Sequence, residues 1–363
     1  MLAGHPLDPL NSDEIREAAA ICRAYAEQQG VDGLRFNVIS LQEPPKAQLL
    51  AYTKDPSAGA PPRRAFCILQ LPGLAGVIEA VVQLGAGKEP SAQPVVSWDK
   101  VEGVHALASP DDCFEAEAIA KADPRVVQLL RERYGVADLD LVCCDPWSIH
   151  ASPVDERAIQ CFMYLKTCPE DNAYAHPLDM TPIVSMDSRT VIRIDLPYKG
   201  PEVEWNKVNN NYHTALQTEV RTDLKPLNVV QPEGPSFTVD GNLVRWHNWS
   251  FRLGFNYREG VVLHDVRYSY EGRERPVMHR ISLVEMAVPY ADPREPYVRK
   301  CAFDVGDYGL GYCTFPLTLG CDCLGHIHYF DATLPNSKGE PVTLHKAICM
   351  HEEDTGLLYK HVD

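Results

Sequence analysis

The feature that most constrains the fold of this 363-residue chain is a change of sequence pattern near residue 235. Upstream, stretches with helical spacing of apolar residues alternate with strand-like stretches. Downstream, the chain becomes a series of short β-rich runs separated by turn residues, at 242–249, 250–257, 261–270 and 275–288. Such a series is typical of an antiparallel β-sandwich. The sequence therefore predicts an α+β protein, in which two small α+β domains precede the beginning of a large antiparallel β-sandwich.

The first predicted domain covers residues 1–90 and begins with a helix. Asn11 has the side chain of a helix N-cap, and Glu14, three residues later, completes a capping box. Apolar residues then recur at helical spacing as far as Ala26. Strands are predicted at 34–38, 65–71 and 77–84. The segment 85–94, rich in Gly, Pro, Ser and Ala, is the predicted boundary.

The second predicted domain covers residues 95–200 and has the same style. Ser109 and Asp123 each precede a proline, which places a capping side chain before a proline at the first helical position. Strands are predicted at 139–144, 159–166 and 183–195. The polar segment 201–228 is predicted to be a linker, and residues 229–363 form the start of the β-sandwich domain.

Composition excludes several classes of function. The 34 Lys and Arg residues against 50 Asp and Glu residues give a net charge of -16, which disfavours nucleic acids and anionic membranes as partners. A cationic small molecule suits this charge better. No apolar run approaches the roughly 20 residues of a membrane helix, and no basic segment followed by an apolar one stands at the start. We therefore expect a cytoplasmic protein.

The run 301–331 is the densest in residue types that carry out chemistry. Asp304 follows apolar residues and precedes Val305 and Gly306, so partial desolvation could prepare its carboxylate as a general base. The alternative is structural: Asp304 and Asp307 bond turn amides around the nearby glycines. The residues alone leave both possibilities open.

The same run offers donors for zinc, namely Cys321, Cys323, His326 and His328. Their Cys-x-Cys and His-x-His spacing argues against a structural zinc site, which usually has wider loops. Alternatively, Cys321 or Cys323 is joined to a distant cysteine such as Cys349.

A second cluster at 349–354 combines cysteine, histidine and three acidic residues. It lacks the HExxH spacing that places two histidines on one face of a helix. A hydrogen-bonded turn with a solvated acidic face is the favoured interpretation.

Several separate motifs resemble the copper amine oxidase family. They are VVQPEGPSFTVDGNLVRWHNWSFRLGFNYREGVVLHDVRY at 229–268, VEMAVPYADP at 284–293, AFDVGDYGLGY at 302–312, LGCDCLG at 319–325 and ICMHEEDTGLLYKH at 348–361. The run HPLDPLNSDEI at 5–15 resembles the opening of the family's first small domain. The likeness implies that residues 229–363 begin the catalytic β-sandwich domain of a primary-amine oxidase.

The resemblance also implies a chemistry. In this family a tyrosine becomes topaquinone in the presence of copper and oxygen, a primary amine condenses with the quinone, and an aspartate removes the α-proton. The products are an aldehyde, ammonia and hydrogen peroxide. The family's aspartate falls on Asp304, and a disulfide of the family falls on Cys323 and Cys349. His326, His328 and His351 do not match its copper ligands, so no residue of this chain is assigned to metal.

Substrate-binding positions are carried over in the same way. Tyr290 resembles a tyrosine beside the substrate and cofactor, and the neighbours of the aspartate resemble the wall of the amine channel. These neighbours are Ala302, Phe303, Val305, Gly306, Asp307, Tyr308, Gly309, Leu310, Gly311, Tyr312 and Cys313.

The sequence departs from the family in one respect. It contains no Asn-Tyr-Asp or Asn-Tyr-Glu motif, the context in which the quinone forms, and it lacks the family's copper-binding histidines. We therefore expect an N-terminal portion that is inactive by itself, whose complete parent oxidises primary amines with O2 and forms a homodimer. The alternative is a non-catalytic protein that keeps the small domains for binding. Which amine is oxidised is not readable from the sequence.

Overall fold

The computed structural model describes residues 4–85, 93–149, 156–197, 213–354 and 356. Residues 86–92 of the predicted boundary and 201–212 of the predicted linker lie outside these ranges. The chain divides into two compact units: unit 1 contains residues 1–107, 226–284 and 308–363, and unit 2 contains residues 108–225 and 285–307. The secondary structure is that of an α+β protein, as predicted.

Unit 1 begins with one helix on a four-stranded antiparallel sheet. The elements are α1 (Ser12–Gln28), β1 (Arg35–Leu41), α2 (Lys46–Lys54), β2 (Arg64–Gln70), β3 (Val77–Gln83) and β4 (Val95–Val101), and the sheet order is β1-β2-β3-β4. The predicted capping box is confirmed, since the Asn11 side chain accepts from the N–H of Glu14 and the Glu14 carboxylate accepts from the N–H of Asn11. The apolar face of α1 packs on this sheet. Strand β4 lies beyond the segment 85–94, so the first sheet extends further than the sequence pattern indicated.

Unit 2 repeats this plan with two helices. Its elements are α3 (Pro110–Ala122), α4 (Pro124–Tyr134), β5 (Val142–Ser148), β6 (Ala158–Leu165), β7 (Thr181–Ser185) and β8 (Thr190–Asp195), and the sheet order is β5-β6-β7-β8. Both helices begin at the predicted prolines, behind Ser109 and Asp123. The strand predicted at 183–195 is instead two strands, because the chain turns between them at Arg189, whose φ is 57°.

The β-rich region of unit 1 forms a five-stranded antiparallel sheet and a hairpin. The sheet consists of β9 (Phe237–Asp240), β10 (Leu243–Trp246), β11 (Trp249–Asn256), β12 (Gly260–Tyr270) and β13 (Arg273–Ser282). Unit 2 also contains the two-stranded sheet of β14 (Ala287–Pro289) and β15 (Cys301–Phe303), and the hairpin of unit 1 is β16 (His328–Pro335) with β17 (Pro341–Met350). A turn at 247–248 and an irregular stretch at 283–286 divide runs that the sequence pattern had left continuous.

Two layers of this β-rich region enclose a core, as expected at the start of a sandwich. Val244 and Leu253 of the five-stranded sheet pack with Phe330, Ala332 and Ile348 of the hairpin. Burial of these side chains supplies the hydrophobic stabilisation of the two layers.

The tip of the β16–β17 hairpin is fastened to the first sheet. The N–H of Phe36 donates to the carbonyl of Ser337 at 2.9 Å. Gly339, with φ of 67°, lies so close to Ala19 and Phe36 that an added Cβ would stand 2.8 Å from each side chain. Only glycine fits this contact, because it tolerates positive φ and has no Cβ.

Candidate active site

Asp304 lies at the end of a short sheet in unit 2. Strand β15 pairs antiparallel with β14, and one π-helical turn, Asp304–Tyr308, follows it directly. The N–H of Asp304 donates to the carbonyl of Met286 at 3.0 Å, which fixes the backbone where the strand ends. Ala302 and Val305 are buried, whereas Asp304 is half-buried. A single π-turn of this kind is frequent at functional sites.

The two aspartates of this turn differ in their bonding. The carboxylate of Asp307 accepts from the N–H of Phe303 at 3.2 Å, and its carbonyl accepts from the N–H of Ala108 at 2.9 Å. Asp307 thus has the structural role, bonding to backbone amides, that the sequence left open for Asp304 and Asp307. The carboxylate of Asp304, in contrast, accepts no hydrogen bond and forms no ion pair among the residues that the structure describes.

Glu285 supports the turn, and sequence reasoning missed it. Its Oε1 accepts from the N–H groups of Val305 and Met286 at 2.9 and 3.0 Å. A Cβ on Gly306 would stand 3.0 Å from its Oε2, so the small residue leaves room for the carboxylate. The 20-residue separation between Glu285 and Val305 left no local signal of this contact.

Tyr290, the predicted substrate-binding tyrosine, belongs to an aromatic cage formed by Trp147, Phe162 and Tyr290. The rings of Trp147 and Tyr290 meet edge to face, with centroids 5.5 Å apart. The ammonium of Lys300 lies 4.3 Å from the Trp147 centroid and 4.9 Å from each of the other two. Burial lowers the pKa of Lys300, and the negative charge of Asp145 partly offsets this effect. The cage is therefore a site that binds a primary ammonium group, here one supplied by the chain itself.

The second sheet presents this cage on the face away from its helices. Ile159, Cys161 and Met163 pack with α3 and α4, while the alternate residues Gln160 and Phe162 point to the other face. Gln160 is fully buried, and its amide has no hydrogen-bond partner among the described residues. Apolar residues at successive positions of β6 could have indicated that both faces of the strand are buried. They could not have indicated which residues cover the face away from the helices.

The remaining predicted wall residues, Tyr308–Cys313, lie in unit 1 against the turn between β11 and β12. Added Cβ atoms on Gly309 and Gly311 would stand 2.3 and 2.1 Å from the carbonyl oxygens of Tyr257 and Asn256. The N–H of Leu310 donates to the carbonyl of Arg258 at 2.8 Å. Close backbone packing therefore accounts for both glycines, and their contact with an amine stays a prediction.

Tyr312 and Cys313 end this segment. The hydroxyl of Tyr312 donates to the carbonyl of Asn37 in β1 at 2.8 Å, and Cys313 is exposed. The tyrosine thereby anchors the segment to the first sheet.

The cysteines and histidines do not gather as the zinc alternative required. Cys323, Cys349 and His351 offer ligand atoms that all lie within 4.8 Å of one another, and this is the one such group among the described residues. Cys321 is exposed and, like His326 and His328, is not part of it. The group contains one histidine, so the described residues do not fit the histidine-based copper site that the resemblance implies.

The acidic run at 352–354 is divided between a bonded residue and exposed ones. The carboxylate of Glu352 accepts from Ser236 N–H at 2.8 Å, Gln231 Nε2 at 2.7 Å and Trp246 Nε1 at 2.7 Å. These bonds lower the pKa of Glu352 to about 2. Glu353 and Asp354 are exposed, as predicted for an acidic face, whereas residues 351–354 do not form the predicted turn.

Comparisons with known proteins identify the family to which the sequence is similar. Three family models cover most of the chain: "Copper amine oxidase, N2 domain" at 5–95, "Copper amine oxidase, N3 domain" at 111–215 and "Copper amine oxidase, enzyme domain" at 238–363. The chain belongs to the copper amine oxidase family.

Similar relatives include copper amine oxidase 1 of Schizosaccharomyces pombe, 40% identical over 99% of this chain and 50% of its own length. The primary amine oxidase of Arthrobacter sp. (strain P1) is 40% identical over 99% of this chain and 53% of its own length. The crystal structure of a copper-containing benzylamine oxidase from Hansenula polymorpha has a TM-score of 0.84 at 33% identity, covering 99% of this chain and 57% of that one. The chain thus spans about half the length of the curated relatives that it matches.

None of the helices in the described part of the chain is both long enough and apolar enough to cross a membrane.

Proposed function

We propose that this chain supplies the proton-abstracting carboxylate and part of the substrate site of a primary-amine oxidase, which converts amines to aldehydes with release of ammonia and hydrogen peroxide. The observation that carries the proposal is the half-buried carboxylate of Asp304, which has no partner among the described residues and follows β15 directly. The relatives' names support the reaction class, since they include a primary amine oxidase and a copper methylamine oxidase.

Asp304 is suited to accept a proton for three reasons. Its carboxylate forms no ion pair with any residue that the structure describes, so its lone pairs are available. Its backbone is held by Met286 and by the Glu285-supported turn, so the side chain starts from a fixed position. The buried neighbours Ala302 and Val305 exclude water from one side, which strengthens its interaction with a cationic substrate.

The positions carried over from the resemblance complete the proposed site. Tyr290 and residues 302–313 are proposed to contact the amine, and Cys323 and Cys349 are proposed to form a disulfide when oxidised. The described histidines do not assemble a copper site, so none of the described residues is assigned to copper or to topaquinone. We therefore derive no step through either group, and we propose that the 363-residue polypeptide does not oxidise amines by itself. The cytoplasmic location and the homodimer stay predictions.

The test uses a polypeptide extended to the full length of the relatives, prepared with copper. We expect Asp304→Asn to lower kcat for benzylamine or methylamine by roughly 10³-fold, because the amide cannot accept the proton. Asp304→Glu keeps a carboxylate and should retain more activity than the amide. Reaction with phenylhydrazine counts the quinone in each variant, so loss of the base is separated from loss of the cofactor.

An exposed carboxylate, Glu102, provides the matched control, and Glu102→Gln should leave turnover unchanged. Turnover by Asp304→Asn equal to that of the unaltered enzyme, at equal quinone content, would remove Asp304 from the mechanism. Hydrogen peroxide release by the 363-residue polypeptide, blocked by phenylhydrazine, would refute the proposal that it is inactive alone.

A further inference from the structure

We propose that Lys300 is a displaceable occupant of the aromatic cage, and that a ligand with a primary or quaternary ammonium group binds there once the lysine side chain has moved out. This inference rests on the proposed function in one respect, because the natural ligand is taken to be a primary amine. Binding itself requires neither turnover nor a cofactor, so it is measured separately from the oxidation of amines.

The four-stranded sheet of unit 2 supplies one wall of the cage. In the ladder between β5 and β6, Asp145 lies opposite Phe162, and Trp147 lies opposite Gln160. Side chains that are directly opposite in an antiparallel pair share one face of the sheet. Trp147 and Phe162 are therefore neighbours on the face away from the helices, together with one carboxylate and one amide.

The segment that covers this face supplies the other wall and the lysine, and it also belongs to unit 2. Pro289 of β14 pairs with Cys301 of β15, so the adjoining residues Tyr290 and Lys300 leave this ladder at the same end. Tyr290 is 43% exposed. The cage is therefore open to solvent on the side of the tyrosine, where a ligand can enter.

Two rings of the cage are held by contacts that do not involve the lysine. The Nε1 of Trp147 donates to the carboxylate of Asp145 at 3.0 Å. Phe162 stacks on Tyr297, with ring centroids 5.9 Å apart and an angle of 16° between the ring planes. We therefore expect the cage to keep its shape when the lysine side chain leaves it.

Lys300, in contrast, is held weakly. Its ammonium faces the three rings at 4.3 to 4.9 Å but forms no hydrogen bond and no ion pair among the residues that the structure describes. Burial removes water from the ammonium and lowers the pKa of Lys300, and the charge of Asp145 offsets this effect only in part. Rotation of the flexible four-carbon stem returns the ammonium to water. The lysine thus exchanges ring contacts for hydration when it leaves, so its departure requires little free energy.

Gln160 provides an independent observation that points to a ligand. Its side chain is fully buried, and neither its Oε1 nor its Nε2 has a hydrogen-bond partner among the described residues. Buried polar groups without partners are rare, because they lose water and gain nothing in exchange. Gln160 lies opposite Trp147 of the cage, yet Lys300 does not bond to it. A ligand that is not tethered to the chain can place its ammonium closer to the sheet and donate an N–H to Oε1.

The lysine and an external ammonium exclude each other from the cage. Both need the same ring faces, and two positive charges at this separation repel each other. Removal of Lys300 should therefore strengthen the binding of a cation. A lysine that only stabilises the fold would not have this effect, since its loss would leave the binding of cations unchanged or weaken it.

The experiment measures the binding of benzylammonium to the 363-residue protein at pH 7 by isothermal titration calorimetry. We expect Lys300→Ala to lower Kd by about tenfold, because the cage is vacated and the repelling charge is removed. Lys346→Ala is the matched control, since Lys346 is exposed and faces only the ring of Tyr329, and it should leave Kd unchanged.

Gln160→Leu tests the second contact of the ligand. It removes a buried amide that has no partner among the described residues, so the variant should fold. We expect it to weaken the binding of benzylammonium roughly threefold to tenfold, because one hydrogen bond is lost. The binding of tetramethylammonium, which has no N–H to donate, should stay the same.

A further measurement detects the displacement itself in the unaltered protein, so it does not depend on the folding of a variant. Acetic anhydride acetylates lysines that reach solvent, and mass spectrometry of the digested protein gives the extent at each lysine. We expect tetramethylammonium chloride to raise the acetylation of Lys300, compared with sodium chloride at the same concentration. The acetylation of Lys346 should be equal in the two salts.

Two results would overturn the proposal: a Kd for benzylammonium that Lys300→Ala leaves unchanged or raises, or acetylation of Lys300 that tetramethylammonium does not increase. These results are independent of the proposed function. Tighter binding by Lys300→Ala, together with full turnover by Asp304→Asn in the extended polypeptide, would retain this inference and reject the proposed base. The opposite pair of results would reject the inference alone.

Discussion

Two helices of this molecule begin with the same arrangement, a capping box whose carboxylate forms an ion pair with an arginine. The two ion pairs differ in how deeply they are buried. Helix α1 starts at a capping box whose glutamate, Glu14, binds Arg63, the residue directly before β2. Helix α3 starts at a capping box whose aspartate, Asp112, binds Arg157, the residue directly before β6. In both cases the arginine fork donates to two carboxylate oxygens. Each pair therefore ties a helix start to the second strand of the adjoining four-stranded sheet.

The difference lies in solvent access. The side chains of Arg63 and Glu14 are 22% and 20% exposed, whereas those of Arg157 and Asp112 are 10% and 3% exposed. Water can solvate the two groups of a broken first pair, but it reaches the two groups of a broken second pair much less. The same arrangement of a capping carboxylate and an arginine therefore contributes differently to stability in the two units, because the two ion pairs differ in solvent exposure.

The largest effect is expected from isosteric removal of each carboxylate charge. Asp112→Asn should destabilise the protein by about 3–5 kcal/mol, because Arg157 stays buried and loses the charge of this carboxylate. Glu14→Gln, the matched change in the more exposed pair, should cost about 1 kcal/mol or less. Urea unfolding followed by circular dichroism measures both, and equal losses would mean that burial does not distinguish the two pairs.

Lowering the pH should also affect the stability of the two units differently, by a smaller amount. In unit 1, burial and the positive charge of Arg252 lower the pKa of His5 to about 4, and Nδ1 of its neutral ring accepts from the N–H of Leu7. Since the unfolded chain binds this proton near pH 6.5, stability falls as the pH drops from about 6.5 to 4. Allowing for solvent screening, we expect a loss of about 1–2 kcal/mol in this window.

The control for this prediction lies in unit 2. Burial opposes the charge of Asp112, but Arg157 and Ser109 outweigh it and hold the pKa of Asp112 below its usual value. Its contribution is present above about pH 3.9 and is lost only as the pH falls below that value. A plot of the free energy of unfolding against pH, between pH 6.5 and 4, should therefore be flatter for His5→Gln than for the unaltered protein. The same plot for Asp112→Asn should keep its slope. A slope unchanged by His5→Gln would contradict the assignment.

The smallest effect is expected at the aromatic cage. This cage lies on the four-stranded sheet of unit 2, on the face away from α3 and α4. Lys300→Met removes an ammonium that faces three rings and should cost about 1 kcal/mol. Lys346→Met removes an ammonium that faces a single ring, that of Tyr329, at 5.2 Å, and it should cost only a few tenths of a kcal/mol. Urea unfolding monitored by tryptophan fluorescence compares the two, and an equal cost would show that the cage does not stabilise the ammonium.

Local signals in the sequence predicted the helix starts well. Asn11 with Glu14, and the prolines after Ser109 and Asp123, lie within a few residues of what they cap, so the sequence alone specifies them. The arginines that complete the two devices are 49 and 45 residues away from their carboxylates and gave no signal. Long-range partners depend on how the sheets assemble.

The candidate site shows the same limit. The position of Asp304 was predicted through motifs, whereas Glu285 and Trp147 were not, because Glu285 reaches the turn of Asp304 and Trp147 reaches Tyr290 only through the fold. The cysteines are a clear case: short spacing drew attention to Cys321 and Cys323, whereas the pairing of Cys323 with Cys349 was implied by the resemblance, and the structure places these two sulfurs 2.7 Å apart. Spacing finds ligands that are neighbours in sequence and misses those that are neighbours in space.

The contact between Phe36 and Ser337 has a consequence for the order of events on the ribosome. Residue 36 leaves the exit tunnel long before residue 337 is made, and at about 5–20 residues per second the interval is roughly 15–60 s. Throughout that time the hairpin tip that packs on Ala19 and Phe36 does not yet exist. Part of the apolar surface of the first sheet therefore stays uncovered until a segment translated about 300 residues later arrives.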